Sequence, residues 1–185
     1  ATGPMKLTVT KRNRQPYLTD VPLGLGEYVG VQDFLIQDDG TGESSGNGDG
    51  IANPAETIEL RLQLRNFGHQ TYPNINCVLI QEDGDVPVLD EVEYVGSLAA
   101  GGSAWTTDDF EFSVPARARD GRSLRFRVRA VSGEHQWDSA IELPVEAPEL
   151  VYSTLHFYDA GPNGILDPGE TASLTVALLN DGSQR

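Results

Sequence analysis

The chain has 185 residues, of which 28 are acidic and 13 basic, giving a formal net charge of −15 and a pI near 4.4. That balance argues against nucleic acid and against anionic membrane surfaces as partners, because both would be repelled. A single cysteine excludes an internal disulfide and any Cys-based metal site, and no apolar run approaches the ~20 residues of a membrane span.

Period-2 alternation dominates, and no window sustains a 3.6-residue period. Residues 1–25 hold one strand-like run, Met5–Arg12, and then a connector spaced by Pro and Gly. They read as the last strand of a preceding domain and a linker. Strands are predicted over 28–37, 57–66, 74–81, 90–98, 108–114, 123–131 and 139–146. Turn-forming segments such as Asn66-Phe67-Gly68, Glu82-Asp83-Gly84-Asp85 and Arg119-Asp120-Gly121 separate them. This spacing without helices predicts an all-β, immunoglobulin-like antiparallel β-sandwich over 26–148. Residues 149–185 then hold the opening strands of a second, truncated repeat.

Within the sixth predicted strand Leu124, Phe126, Val128 and Ala130 alternate with Arg125, Arg127 and Arg129, one apolar face and one wet. The arginine stripe is expected to pair across the sheet with carboxylates such as Glu59 or Glu142. Cys77 shares a face with Ile75 and Leu79, which assigns it to the core and not to nucleophilic chemistry. Trp105 and Trp137 are expected to cap the sandwich or to lie on a ligand face.

Gly46–Thr57 is echoed by Gly161–Thr171, and Glu170 stands 114 residues after Glu56. Each copy runs into an alternating strand that closes on an Asn and a Gly. A period of this size is that of one β-sandwich domain, so the chain reads as a tandem array. Oxygen-bearing side chains at fixed offsets, interleaved with glycine and closed by a glutamate, suit a hard cation, calcium above magnesium.

With Glu170 as the last ligand of an EF-type loop, Asp159 is the first, and Asn163, Ile165 (through its carbonyl) and Asp167 fall between. With Glu56 as the last, Asn47, Asp49 and Ile51 fall in place, but the first position is Ser45, a poor ligand. The first copy carries extra residues at 39–44, so Asp38 or Asp39 is expected to swing back as the missing acid. The candidate metal ligands are therefore Asp38, Asp39, Asn47, Asp49, Ile51 and Glu56 in one loop. The other loop offers Asp159, Asn163, Ile165, Asp167 and Glu170. The ion's expected role is structural, neutralising like charges so that the loop folds against its strands.

His69, His135 and His156 lie in unrelated contexts with no catalytic spacing, so no active site is expected. The segment Leu7–Tyr17, followed by Gly46-Asn47-Gly48-Asp49-Gly50 and later Asn163–Glu170, resembles the region after the catalytic domain of gingipain-like cysteine peptidases. There a strand of the form VTVTKxNxxPY closes an immunoglobulin-like domain, and NGDGxxNPGE sandwiches follow in tandem. The resemblance covers nearly the whole chain. It departs at Ala55, where the second copy has Gly169, and the peptidases' catalytic Cys and His have no counterparts.

What the resemblance implies is a secreted or cell-surface bacterial location and a non-catalytic module. Such a module spaces, displays or attaches a larger protein; one alternative is that the chain is a fragment of a gingipain-like cysteine peptidase. The expected partners are neighbouring immunoglobulin-like domains or subunits of the same protein. An alternative expectation is a self-assembling structural protein joined by strand addition between subunits, with Met5–Arg12 as the donor.

Overall fold

In the computed structural model, which describes residues 5–10, 17–21, 26–159 and 165–183, every regular element is a β-strand. In chain order these are β1 (Met5–Val9), β2 (Tyr17–Val21), β3 (Val29–Gln37), β4 (Thr57–Asn66), β5 (Tyr72–Gln81), β6 (Val88–Asp90) and β7 (Val92–Leu98). They continue with β8 (Ser103–Trp105), β9 (Phe110–Ser113), β10 (Ser123–Ser132), β11 (His135–Pro144), β12 (Leu150–Asp159) and β13 (Ala172–Asn180). Among the described residues no helix is long and apolar enough to cross a membrane.

Two antiparallel sheets carry the body. One has the order β3-β4-β9-β6, with β8 also paired to β4; the other has the order β11-β10-β5-β7. Alternation decides which side chains meet between them. Ile58, Leu60, Leu62 and Leu64 of β4 are fully buried, as are Phe110, Phe112, Leu124, Phe126 and Ile75. The rings of Phe112 and Phe126 touch across the core, their centroids 4.8 Å apart. Burying each such side chain contributes about 1.5–3 kcal/mol. An all-β chain with a core closed between two antiparallel sheets is consistent with a β-sandwich.

Cys77 lies in this core, as expected. Burial, followed by the Glu93 carboxylate, pushes its thiol up to about 12, so the reactive thiolate does not form at neutral pH. Trp137 caps one end, where its indole N–H donates to the Glu27 carbonyl at 2.9 Å and its ring meets Tyr72 edge-on at 4.6 Å.

Several boundaries differ from the sequence reading for identifiable reasons. The predicted strand 90–98 is two strands, because the chain changes sheets at Glu91. β6 pairs with β9 on one side and β7 with β5 on the other. β11 starts at His135 because a tight turn keeps it paired with β10 from Ser132↔His135 onward. β8 has too few residues for alternation to reveal.

The arginine stripe finds nearer acids than those expected. Arg125 pairs with Asp83 at 2.9 Å, Arg127 with Glu82 at 3.4 Å, and Arg129 with Asp138 at 2.8 Å. Glu142 stands opposite Arg125 in register, but the turn at 82–85 brings Asp83 closer, and its Oδ1 accepts from both Nε and Nη2 of Arg125. Glu59 belongs to the other sheet, directly across from Glu111.

Two further hairpins are formed, β1 with β2 and β12 with β13. Met5–Val9 is therefore already half of a hairpin, not a lone strand; Lys11 and Arg12 lie outside the described residues.

The β12–β13 pair repeats β3–β4 in register. Val29↔Asn66 corresponds to Leu150↔Asn180, and Gln37↔Glu59 to Tyr158↔Ser173. A register shift falls between Val31 and Asp33 in one and between Tyr152 and Thr154 in the other, against Leu64/Gln63 and Leu178/Ala177. The closing contacts match as well. Phe67 N–H donates to the Tyr28 carbonyl, and Asp181 N–H to that of Glu149, both at 2.7 Å. Counterparts thus lie 114 positions apart on the second strand and 121 on the first, so the first connecting loop is longer by seven residues.

One correspondence carries strain. Ala55 sits at φ 72°, where its counterpart Gly169 sits at 92°, and a Cβ is disfavoured in that left-handed region. Ala55→Gly should therefore stabilise the fold by about 0.5–1 kcal/mol, after the entropy that glycine gains in the unfolded chain is subtracted. An unchanged or lower urea midpoint would contradict this.

Candidate cation site

The first loop is organised by two carboxylates that reach backbone N–H groups. Asp38, immediately after β3, is 2 % exposed. Its Oδ2 accepts from the N–H groups of Gly48 (3.1 Å) and Asp49 (3.2 Å), and its Oδ1 accepts from Gly50 at 3.0 Å. Three consecutive N–H groups converge because Gly48 and Gly50 lie at φ +77° and +76°, which makes an anion-binding concavity. Gly46 closes the other side; a Cβ there would stand 2.6 Å from the Asp38 carbonyl oxygen and 2.8 Å from Glu56 Oε1.

Glu56 faces the same space from the start of β4. Its Oε1 accepts from Asn47 N–H at 3.1 Å and its Oε2 from Asn53 N–H at 2.9 Å. The Asn47 side chain lies between them, its Nδ2 donating to Asp49 Oδ2 at 3.0 Å and to Asn53 Oδ1 at 2.9 Å. Asp49 Oδ1 in turn accepts from Ile51 N–H at 2.9 Å. Asn53 is anchored to the body through Nδ2, which donates to the Glu146 carbonyl at 2.8 Å.

Asp38, Asn47, Asp49, Ile51 and Glu56 are thus gathered on one short loop. Asp39 is not; its carboxylate closes a local turn by accepting from Thr41 N–H and Oγ1. Ser45 pairs with Thr57 through two backbone bonds of 2.9 Å each and takes no ligand position. Asp38 also lies 121 residues before Asp159, the offset that relates β3 to β12, so it replaces Ser45 at the head of the motif.

Asn53 joins the loop without being among the ligands the sequence points to, although its counterpart Asp167, 114 positions later, is one of them. In the second loop the Asp159 side chain and Asn163 lie outside the described residues, while Ile165, Asp167 and Glu170 are exposed. Asp167 N–H donates to Glu170 Oε2 at 2.8 Å, repeating the Asn53–Glu56 contact.

Among the described residues no three His, Cys, Asp or Glu side chains form a ready-made metal cluster. The first loop mixes carboxylate and amide oxygens with backbone groups instead. No family model matches the chain, and no curated protein does either. The chemistry of the loop must therefore be read from its own atoms. All its candidate side-chain donors are oxygens, which favours a hard cation.

Burial first, and then the negative charges of Asp38 and Asp49, raise the Glu56 carboxyl above its usual 4.5. A raised carboxyl holds its proton more tightly folded than unfolded. Its stabilising contribution is complete below the ordinary value and is lost as pH climbs through the raised one. A bound cation would need the carboxylate, so a calcium-dependent rise in Tm would grow as pH is taken from about 4 to about 7. Melting curves with calcium and with chelator across that range test this; a difference that shrinks with pH would contradict it.

Proposed function

We propose that the chain is a non-catalytic, calcium-stabilised module of immunoglobulin-like type within a tandem array. It spaces, displays or attaches a larger secreted or surface-bound bacterial protein. The observation that supports the reading is the Asp38 carboxylate, carried across an insertion of seven residues onto three N–H groups of the glycine-rich loop. The acid, the glycines and the closing glutamate then stand in the order of an EF-type loop, without its helices.

Calcium would be held by Asp38, Asp49 and Glu56 with the oxygens of Asn47 and Asn53 and the Ile51 carbonyl. It would take the place of the neutral Asn47 N–H₂ that now donates to Asp49 and Asn53. The ion's part is to let like charges share one loop, so its binding energy becomes folding energy. The gingipain-like resemblance supports the extracellular setting and suggests a peptidase as the parent.

Calorimetric titration of calcium into chelator-stripped protein tests the reading. Binding with a Kd on the order of 10⁻⁶ to 10⁻³ M, and weaker for magnesium, is expected. Absence of heat and of any competition with a calcium dye would remove it.

A further inference from the structure

The first loop grips the segment through which the chain leaves the body. Val145, Glu146 and Ala147 follow β11 and lead towards β12. Val145 N–H donates to the Arg122 carbonyl at 2.7 Å, and its own carbonyl accepts from Gly121 N–H at 3.0 Å. Glu146 turns the opposite way, onto the loop. Its N–H donates to the Ala52 carbonyl at 3.1 Å, and its carbonyl accepts from Asn53 Nδ2 at 2.8 Å. Ala147 N–H then returns to Asp120 Oδ1 at 2.9 Å.

Burial matches this alternating grip. Ala52 and Asn53 are buried, and so are Val145 and Ala147, so the exit segment is seated like a core strand. The other carboxylate oxygen of Asp120 accepts from Ser183 Oγ at 3.0 Å, in the turn that follows β13. One side chain thus ties the body to the linker and to the next hairpin. Motion between neighbouring domains is the default unless their connection is built against it, and here the linker is held from both sides.

Asn53 is where the loop and the linker meet. Its Oδ1 faces into the loop, where it accepts from Asn47, while its Nδ2 holds the Glu146 carbonyl. Ala52, which holds the Glu146 N–H, directly follows Ile51, whose carbonyl is another candidate ligand. An amide whose oxygen is fixed by a cation cannot swing its nitrogen off the linker without releasing the ion. Unseating the linker and losing the ion are then coupled, and each biases the other.

We propose that the cation site stiffens the joint between consecutive repeats: a loaded loop locks Val145–Ala147 onto the body and so holds the next repeat in place. The inference rests on the calcium reading and extends the ion's effect from the body's own stability to the connection beyond it.

Amide exchange read residue by residue by NMR on the intact chain, with calcium and with chelator, tests this beside calorimetry. In chelator Glu146 N–H should exchange well before that of Phe126, which lies between two strands in the other sheet. Calcium at about 100 times its Kd should slow Glu146 by up to roughly a hundredfold and close that gap. An ion that only stabilised the body as a whole would slow both alike. Nitrogen relaxation on the same samples reads the joint: β12–β13 should tumble with the body in calcium and more independently of it in chelator. Asp120→Ala lies outside the loop, so calcium should still bind. It should speed Ala147 exchange in both conditions and leave the calcium response of Glu146 intact; loss of that response would show that it does not travel through Ala52 and Asn53. Bound calcium that slows Glu146 no more than Phe126, or that leaves the relaxation of β12–β13 unchanged, would overturn the proposal and leave the cation site standing. Absence of calcium binding by calorimetry would remove the site, and this inference with it.

Discussion

In saturating calcium, Glu56→Gln should lower the melting temperature by about 10 °C and leave the protein indifferent to chelator. The size follows from linkage. An ion present at about 100 times its Kd stabilises by about 2.7 kcal/mol, and in a domain of this size each kcal/mol is worth roughly 3–6 °C. Glutamine keeps one acceptor oxygen for the N–H groups of Asn47 and Asn53 but no longer supplies a charged ligand.

In chelator the same change should cost less, because relief of repulsion from Asp38 and Asp49 offsets the amide N–H₂ that replaces one of the two acceptor oxygens. Asp38→Asn should behave differently. It takes away the ligand and in addition places an amide N–H₂ among N–H groups that now meet two oxygens. It should therefore cost roughly 1–3 kcal/mol even without calcium, the penalty of a buried donor left unmade. A Glu56→Gln protein that retains its full response to chelator would show that the loop glutamate holds no ion.

The second large effect separates the buried hairpin from its exposed counterpart. Leu62→Ala removes a side chain that is 0 % exposed, and should cost about 2–5 kcal/mol through lost burial and a residual cavity. Val176→Ala changes the register-equivalent position on β13, which is 53 % exposed, and should stay within about 0.5 kcal/mol. Urea unfolding measures both. Equal costs would mean that β13 is packed as deeply as β4.

Alternation in β4 and β10 made the apolar faces plain, because their side chains are sorted by a single core. The 114-residue echo located both loops and both strands that follow them. Sequence could not decide between Asp38 and Asp39. That depends on which of two adjacent carboxylates leaves β3 facing the loop; it is Asp38 that meets the loop N–H groups, while Asp39 turns to Thr41. Nor could it show that the segment 90–98 is shared by two sheets, since Glu91 carries no turn signal. The partners of Arg125, Arg127 and Arg129 were hidden for a related reason. They come largely from the turn at 82–85 and from Asp138, and depend on how the turn leans over the sheet. Asn53 stands 114 residues before Asp167, so the echo alone was enough to place it in the loop.

Diffraction from crystals grown in calcium, recorded where calcium scatters anomalously, tests the central claim most directly. The account predicts a peak about 2.3–2.6 Å from oxygens of Asp38, Asp49 and Glu56 and from the Ile51 carbonyl, with the Asn47 amide oxygen turned toward it. A loop that keeps the Asn47 N–H₂ between Asp49 and Asn53, with no anomalous peak beside it in saturating calcium, would contradict the account.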